Sequence, residues 1–182
     1  MDEIRTARHD LRQHLSVIRS CLEKEDTDAL KTYLDAYEQK LPADIHRVFC
    51  QNFAVNCILA YYAEEARKYK IDYRINCDFP EQLPVSEPEL CALLGNLLEN
   101  AVEACKDVDP AVSFICVNSL CGQEHIVLTV DNSCSREPVM ENGRFFSARH
   151  EGYGTGTYSI KATAERNGGT AEFSFKNGVF YA

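Results

Sequence analysis

The first 41 residues of the chain carry two apolar stripes with the spacing of helices. The segment between the stripes, Glu25-Asp26-Thr27-Asp28, is rich in helix-capping residues, and Pro42 ends the second stripe. The pattern predicts an antiparallel helical hairpin. Because two helices cannot enclose a core, we expect two copies to pair in a four-helix bundle, which makes the protein a homodimer. The first stripe is Ile4, Ala7, Leu11, Leu15, Ile18 and Leu22, and the second is Leu30, Tyr33, Leu34, Tyr37 and Leu41.

After Pro42 the chain mixes helical and strand patterns without strict alternation, which predicts an α+β fold with helices on a mostly antiparallel sheet. We therefore expect a hairpin domain at 1–45 and an α/β sandwich at 46–182. The predicted helices run from about Asn52 to Lys70, from Ser86 to Ala104 and from Gly156 to about Asn167. The predicted strands are 71–77, 111–120, 126–130 and a hairpin over 171–181 that turns at Asn177-Gly178, and 133–151 is expected to be an irregular loop.

The net charge, the apolar runs and the cysteine spacing of the chain argue against several kinds of partner and site. The 182 residues include 28 acidic and 19 basic side chains, a formal charge of -9, which argues against non-specific binding to nucleic acid or to an anionic membrane surface. No apolar run approaches the roughly 20 residues that span a bilayer, so the expected location is the cytoplasm. The nine cysteines form no C-x-x-C pair, and four of them, Cys21, Cys57, Cys91 and Cys105, fall in helical patterns, so we expect mostly reduced core thiols rather than disulfides or a zinc site.

Arg8-His9-Asp10 on the first helix is the first candidate for chemistry. Heptad numbering puts His9 on the face opposite the apolar stripe, where we expect it to be exposed, whereas His14 falls at the stripe. A neighbouring carboxylate such as Asp10 can orient the imidazole and tune its basicity, which suits a nucleophile. The alternative is an ordinary surface histidine in a charged helix.

The second candidate is the segment 95–104, in which Asn96, Asn100 and Glu103 share one face of an otherwise apolar helix. Asparagine is a mediocre helix former, so two at this spacing suggest a task. Their side-chain oxygens suit a hard cation such as Mg²⁺, which keeps substrate phosphates among its ligands. The alternative is a solvated polar face.

The third candidate is Gly152-Tyr153-Gly154-Thr155-Gly156, which leads into a helix. Glycines at alternate positions let backbone amides approach an anion closely, and a helix N-terminus adds free N–H groups, so the segment suits a phosphate. It is not a Walker loop, since no Gly-Lys-Ser/Thr follows.

Together and in this order, the three segments resemble a sensor histidine kinase of the GHKL ATPase superfamily, of the AgrC-like branch with an R-H-D histidine box. Arg8-His9-Asp10 resembles the phosphoacceptor box, the segment 96–101 the N box, and the segment 152–159 the second glycine box. The resemblance extends to Asn52 and to Gly168-Gly169. It implies a Bergerat-type site that uses ATP and Mg²⁺.

The resemblance also implies roles for single residues. Asn100 would coordinate Mg²⁺ and Asn96 would support the metal and phosphates, while Gly152, Gly154 and Gly156 would shape the lid. The phosphoryl group would pass to His9, with Asp10 as proton acceptor or orienting group, and then to an aspartate of a response-regulator receiver domain. Asn132 would contact adenine, with Asp131 as the alternative.

The sequence departs from the family pattern after the strand 126–130. The first glycine box is replaced by Asp131-Asn132-Ser133-Cys134-Ser135, and Thr155 and Thr157 stand where apolar residues are usual. A second hypothesis therefore stays open, a non-catalytic histidine phosphotransfer or scaffold dimer with a decayed ATP site. We also expect the chain to be a fragment of a membrane-anchored sensor, attached to the membrane only through an upstream region that it lacks.

Overall fold

A computed structural model describes residues 15–38, 48–138, 140–141, 144–145 and 155–182 of the chain. The chain divides into two compact units, residues 1–43 and 44–182, which are described separately. Across the described ranges, none of the helices combines the length and the apolar character needed to cross a bilayer.

In the first unit, α1 covers residues 15–23 and α2 spans Thr27–Glu38. The break between them lies where the capping residues predict it. Glu25 adopts a left-handed conformation with φ of 54°, and the Asp26 carboxylate accepts the N–H of Ala29 at 2.9 Å, which caps the start of α2. The antiparallel pairing of the two helices and the pairing of two chains stay predictions.

The second unit is a five-stranded sheet with three helices. Its order is α3 (Phe53–Lys68), β1 (Asp72–Asn76), α4 (Glu87–Cys105), β2 (Phe114–Cys121), β3 (Ile126–Ser133), β4 (Met140–Glu141), β5 (Arg144–Phe145), α5 (Thr155–Arg166), β6 (Ser174–Lys176) and β7 (Val179–Tyr181). The sheet runs β1-β2-β3-β7-β6, parallel between β1 and β2 and antiparallel elsewhere, and β4 pairs only with β5. The predicted α+β class with a mostly antiparallel sheet is confirmed for this unit.

The core lies between the sheet and the helices. The central helix α4 contacts α3, α5, β2 and β3, and one side of it is fully buried. Burying a Leu, Ile or Phe side chain contributes about 1.5–3 kcal/mol, so this layer holds α4 firmly in position. The largest buried side chains are Phe79, Leu59, Leu94, Leu98, Ile115, Val55, Val117 and Val130.

Asn52 caps α3 and ties it to the start of α4. Its Oδ1 accepts the N–H of Val55 at 2.9 Å, and its Nδ2 donates to the carbonyl of Glu81 at 3.1 Å and to the carboxylate of Glu87 at 2.9 Å. The side chain is only 2% exposed. Because its partners lie in three different segments, Asn52 is a structural anchor of the sheet-and-helix unit.

The differences from the expected bounds are largest in the strands, and the last strand pair begins at Ser174 rather than at residue 171. The strand expected from residue 111 begins at Phe114, because Asp109 forms a turn that accepts the N–H groups of Ala111 and Val112. β3 continues to Ser133 because β7 pairs with its last three residues. The segment expected to be irregular contains the short pair β4 and β5.

All nine cysteines are free, as expected for reduced thiols. Cys105 is the one that is fully buried, and the other eight are half-buried, so the expectation of core positions holds fully for Cys105 alone.

Candidate functional site

The polar face of α4 forms one wall of the site. The helix starts with Ser86 before it and Pro88 in its first turn, both typical of helix starts. Its apolar face is buried, and the opposite face carries Asn96, which is half-buried, and Asn100, which is exposed. The packing of the apolar face therefore turns both amides away from the core.

Gly156 lies directly against Asn100. A Cβ atom built on Gly156 would lie 2.8 Å from Nδ2 of Asn100 and 3.2 Å from its Oδ1, closer than real Cβ contacts. Glycine at residue 156 therefore lets the first turn of α5 approach this side chain without displacing its amide. The structure thus brings together the N-box segment and the end of the glycine segment, two candidates found independently in the sequence.

Polar contacts between the end of α5 and the start of α4 hold the two helices together at the end away from Gly156. Arg166 at the end of α5 pairs with Glu89 in the first turn of α4 at 3.2 Å, and Asn167 donates to the same carboxylate at 3.0 Å. These contacts make α4 and α5 antiparallel, so that the start of α5 meets the second half of α4. The ion pair is exposed and contributes little energy by itself, so it serves mainly to orient the helices.

The end of β3 separates Asn132 from Asp131 by the alternation of a strand. Asn132 is opposite the fully buried Ile115 and points into the helix-facing side, where it is 3% exposed. Asp131 is opposite Cys116 and Tyr181 on the other side of the sheet, and partial burial raises the pKa of its carboxyl above 3.8. Of the two candidates for the adenine contact, Asn132 is the one on the side of α4.

The C-terminal turn of α4 meets the same strand end. The Sγ of Cys105 lies 3.3 Å from the carbonyl oxygen of Ser133, next to Asn132. Cys105 follows Asn100 by five residues, about 7.5 Å along a helix axis. The buried face of α4 thus meets the strand end that carries Asn132, whereas Asn100 and Gly156 meet on the polar face of the C-terminal half of this helix.

The side chains of this region suit a phosphate-bound Mg²⁺ better than a metal held by protein alone. Within the described part of the chain, no three His, Cys, Asp or Glu side chains gather as a ligand set. The amide oxygens of Asn96 and Asn100 are neutral, hard ligands, and Mg²⁺ is commonly bound through few protein groups plus water and substrate phosphates. The close approach at Gly156 leaves backbone, rather than a side chain, beside Asn100.

Four predicted site residues, His9, Asp10, Gly152 and Gly154, lie outside the described residues. Sequence reasoning missed the network around Ser133, which was assigned to the start of an irregular loop. Cys105 was recognised only as an apolar helical position. Its place five residues after Asn100 and the polar pair Asn132-Ser133 at a strand end were the available signals.

The chain is similar in sequence to the GHKL domain family and to a sensor histidine kinase, and similar in fold to solved histidine kinases. The family model of the GHKL domain matches residues 87–182. The sensor histidine kinase NatK of Bacillus subtilis (strain 168) is 26% identical over 189 residues, and the match covers 98% of this chain and 57% of NatK. The chain therefore spans a little over half the length of that relative.

Among solved structures, the catalytic domain of histidine kinase ThkA superposes with a TM-score of 0.53 at 22% identity, covering 70% of this chain and 88% of that one. Histidine kinase AdeS of Acinetobacter baumannii gives a TM-score of 0.51 at 14% identity, covering 95% of both chains. At these identities the likeness establishes the fold.

Proposed function

Because the chain belongs to the GHKL domain family, we propose that it is the ATP-binding and phosphoacceptor part of a protein-histidine kinase of a two-component system. The observation that carries this proposal is the contact of Gly156 with Asn100. An amide-bearing helix and a glycine at the start of a second helix, brought together from distant parts of the sequence, form an arrangement suited to phosphate and Mg²⁺.

In this proposal each described residue has a limited task. Asn96 and Asn100 would hold the Mg²⁺, whose charge offsets that of the phosphates. Gly156 keeps the first turn of α5 close enough for backbone amides to meet the phosphates. Asn132, on the helix-facing side of β3, would accept a hydrogen bond from the amino group of adenine. Asp131 points to the opposite side and is the weaker candidate.

The phosphoacceptor assignment rests on the resemblance of Arg8-His9-Asp10 to a histidine box. A neutral imidazole nitrogen of His9 would form the new P–N bond as the bond from the γ-phosphorus to the ADP oxygen breaks, and Asp10 would take or orient the ring proton. Gly152 and Gly154 keep their proposed roles in a lid. The receiver domain of a response regulator would then accept the phosphoryl group on an aspartate.

Dimerisation is proposed for the first unit. Leu15 and Leu22 of α1 and Leu34 of α2 are exposed in the single chain, although they belong to the predicted apolar stripes. A second copy would bury them. Light scattering should give the mass of a dimer, and Leu22→Glu should shift the protein to a monomer. The cytoplasmic location and the upstream membrane sensor remain predictions.

Radiolabelling tests the kinase. The full chain, incubated with Mg²⁺ and γ-labelled ATP, should acquire an acid-labile label that is lost in His9→Ala and kept in His14→Gln, a change in the same predicted helix. Calorimetry with a non-hydrolysable ATP analogue separates the scaffold alternative, for which we expect no Mg²⁺-dependent binding. Label that persists in His9→Ala contradicts the phosphoacceptor assignment.

A further inference from the structure

A buried hydrogen bond fixes the orientation of the Asn132 amide. Its Nδ2 donates to the carbonyl oxygen of Ser133 at 2.9 Å. A carbonyl oxygen can only accept, so the donating end of the amide must face it. Oδ1 is then left at the opposite end of the same amide as an acceptor. The direction of this side chain thus depends on the position of one backbone carbonyl.

The hydroxyl of Ser133 pairs with β2, and α4 contacts the Ser133 carbonyl. The Sγ of Cys105 lies 3.3 Å from it and 3.3 Å from both the Oγ of Ser133 and the carbonyl of Phe114. The Oγ of Ser133 also accepts the N–H of Phe114 at 3.0 Å, continuing the strand pairing with a side chain. Cys105 is 2% exposed and Ser133 is 5% exposed. Burial raises the pKa of the Cys105 thiol, so it keeps the proton it can donate.

We propose that Cys105 and Ser133 are positioning residues that orient the Asn132 amide and thereby make the site select a 6-amino purine over a 6-oxo purine. The inference rests on the proposed ATP site. A 6-amino group donates and matches Oδ1 of Asn132, whereas a 6-oxo group accepts and opposes it. A site that presents a fixed polar group discriminates strongly against a ligand lacking the partner, so we expect the chain to bind ATP at least about tenfold more tightly than inosine triphosphate.

Removing the contact of Cys105 with the Ser133 carbonyl should reduce this selectivity for the 6-amino purine. If the amide of Asn132 turns by half a revolution, its Nδ2 faces the base and can donate to a 6-oxo group. In Cys105→Ala one of the groups that hold the Ser133 carbonyl is gone, and we expect the ratio of the two dissociation constants to fall by about threefold or more. Cys105→Ser keeps a donor at this position, and the ratio should recover.

The test is equilibrium titration of ATP and inosine triphosphate, each with Mg²⁺, on the full chain and on these two variants. A loss of overall packing weakens the binding of both nucleotides alike, whereas a change in amide orientation alters the ratio of their dissociation constants. Cys91→Ala is the matched control, since Cys91 is a half-buried cysteine of the same helix that lies near Glu87 and Cys57. An unchanged ratio in folded Cys105→Ala, or an equal fall in Cys91→Ala, overturns the proposal.

The two proposals fail in different ways. ATP binding without preference over inosine triphosphate overturns the selectivity and leaves the kinase standing, whereas binding of neither nucleotide overturns both. A measurement on the unmodified, nucleotide-free chain makes the test independent of variant folding. The side-chain amide protons of Asn132 should exchange with solvent far more slowly than those of exposed Asn100. Equal exchange of the two amides contradicts the network.

Discussion

Replacing Gly156 by alanine is the sharpest test of the site, because it adds one methyl group at the contact between the two motifs. The new Cβ would lie 2.8 Å from Nδ2 of Asn100, whereas ordinary contact begins at 3.4 Å. The amide must therefore move by the difference, 3.4 − 2.8 = 0.6 Å. Asn100 is an exposed side chain and can turn away, so folding should tolerate the change.

The binding of Mg²⁺-ATP, by contrast, should be weakened by Gly156→Ala. Functional groups need to be held within about 0.5 Å of their productive geometry, and a misplacement of about 1 Å can cost a hundredfold. We expect Gly156→Ala to weaken Mg²⁺-ATP binding by about tenfold or more, while the free energy of unfolding stays within about 1 kcal/mol of the original, because alanine also favours the helix. Calorimetry measures the first quantity and urea unfolding the second.

Gly95→Ala is the matched control for this experiment. It makes the same change in α4, and no described atom lies within 4 Å of the added Cβ beyond the helix backbone and its neighbours in sequence. We expect it to stabilise the protein by about 1 kcal/mol and to leave ATP binding unchanged. Unweakened binding by folded Gly156→Ala, or an equal loss in Gly95→Ala, would refute the assignment of this contact to the site.

Three further predictions concern the second unit. Asn52→Ala should lower the free energy of unfolding by about 2–3 kcal/mol in urea unfolding, because it removes a helix cap and leaves buried partners unsatisfied. Burial raises the pKa of Asp131, so the charged carboxylate disfavours the folded state. Asp131→Asn should therefore increase the free energy of unfolding at about pH 7, and this gain should disappear at about pH 3, where the carboxyl is protonated in both states. ATP binding measured by calorimetry should not change. Burial raises the pKa of Cys50 to about 11, so at about pH 8 it should react with iodoacetamide at least about tenfold more slowly than free cysteine, as followed by mass spectrometry of its peptide.

Features set by neighbouring residues could be predicted from the sequence. The turn at Asn177-Gly178 is one, since both residues adopt positive φ, 53° and 78°, as this dipeptide favours between two strands. The buried face of α4 is another, because the spacing of apolar residues decides it. These local signals, with the order of the three motifs, were sufficient for the α+β class.

Features set by distant residues could not be predicted. The choice between Asn132 and Asp131 depends on which side of β3 faces the helices, and this follows from its register with β2 and β7. Asn52 shows the same limit, because its partners Glu81 and Glu87 reach it only through the tertiary fold. A pattern of residue types marks candidates, and only the register of the sheet shows which of them share a side with the helices.

The position of β7 has a consequence for the order in which the protein assembles. This strand, Val179–Tyr181, lies between β3 and β6, and it pairs with the residues around Asn132. Pairings between segments distant in sequence form late in folding. During synthesis the end of β3, which carries Asn132, therefore lacks its pairing with β7 until residues 179–181 have been made. ATP would then stabilise the finished domain and not an early intermediate.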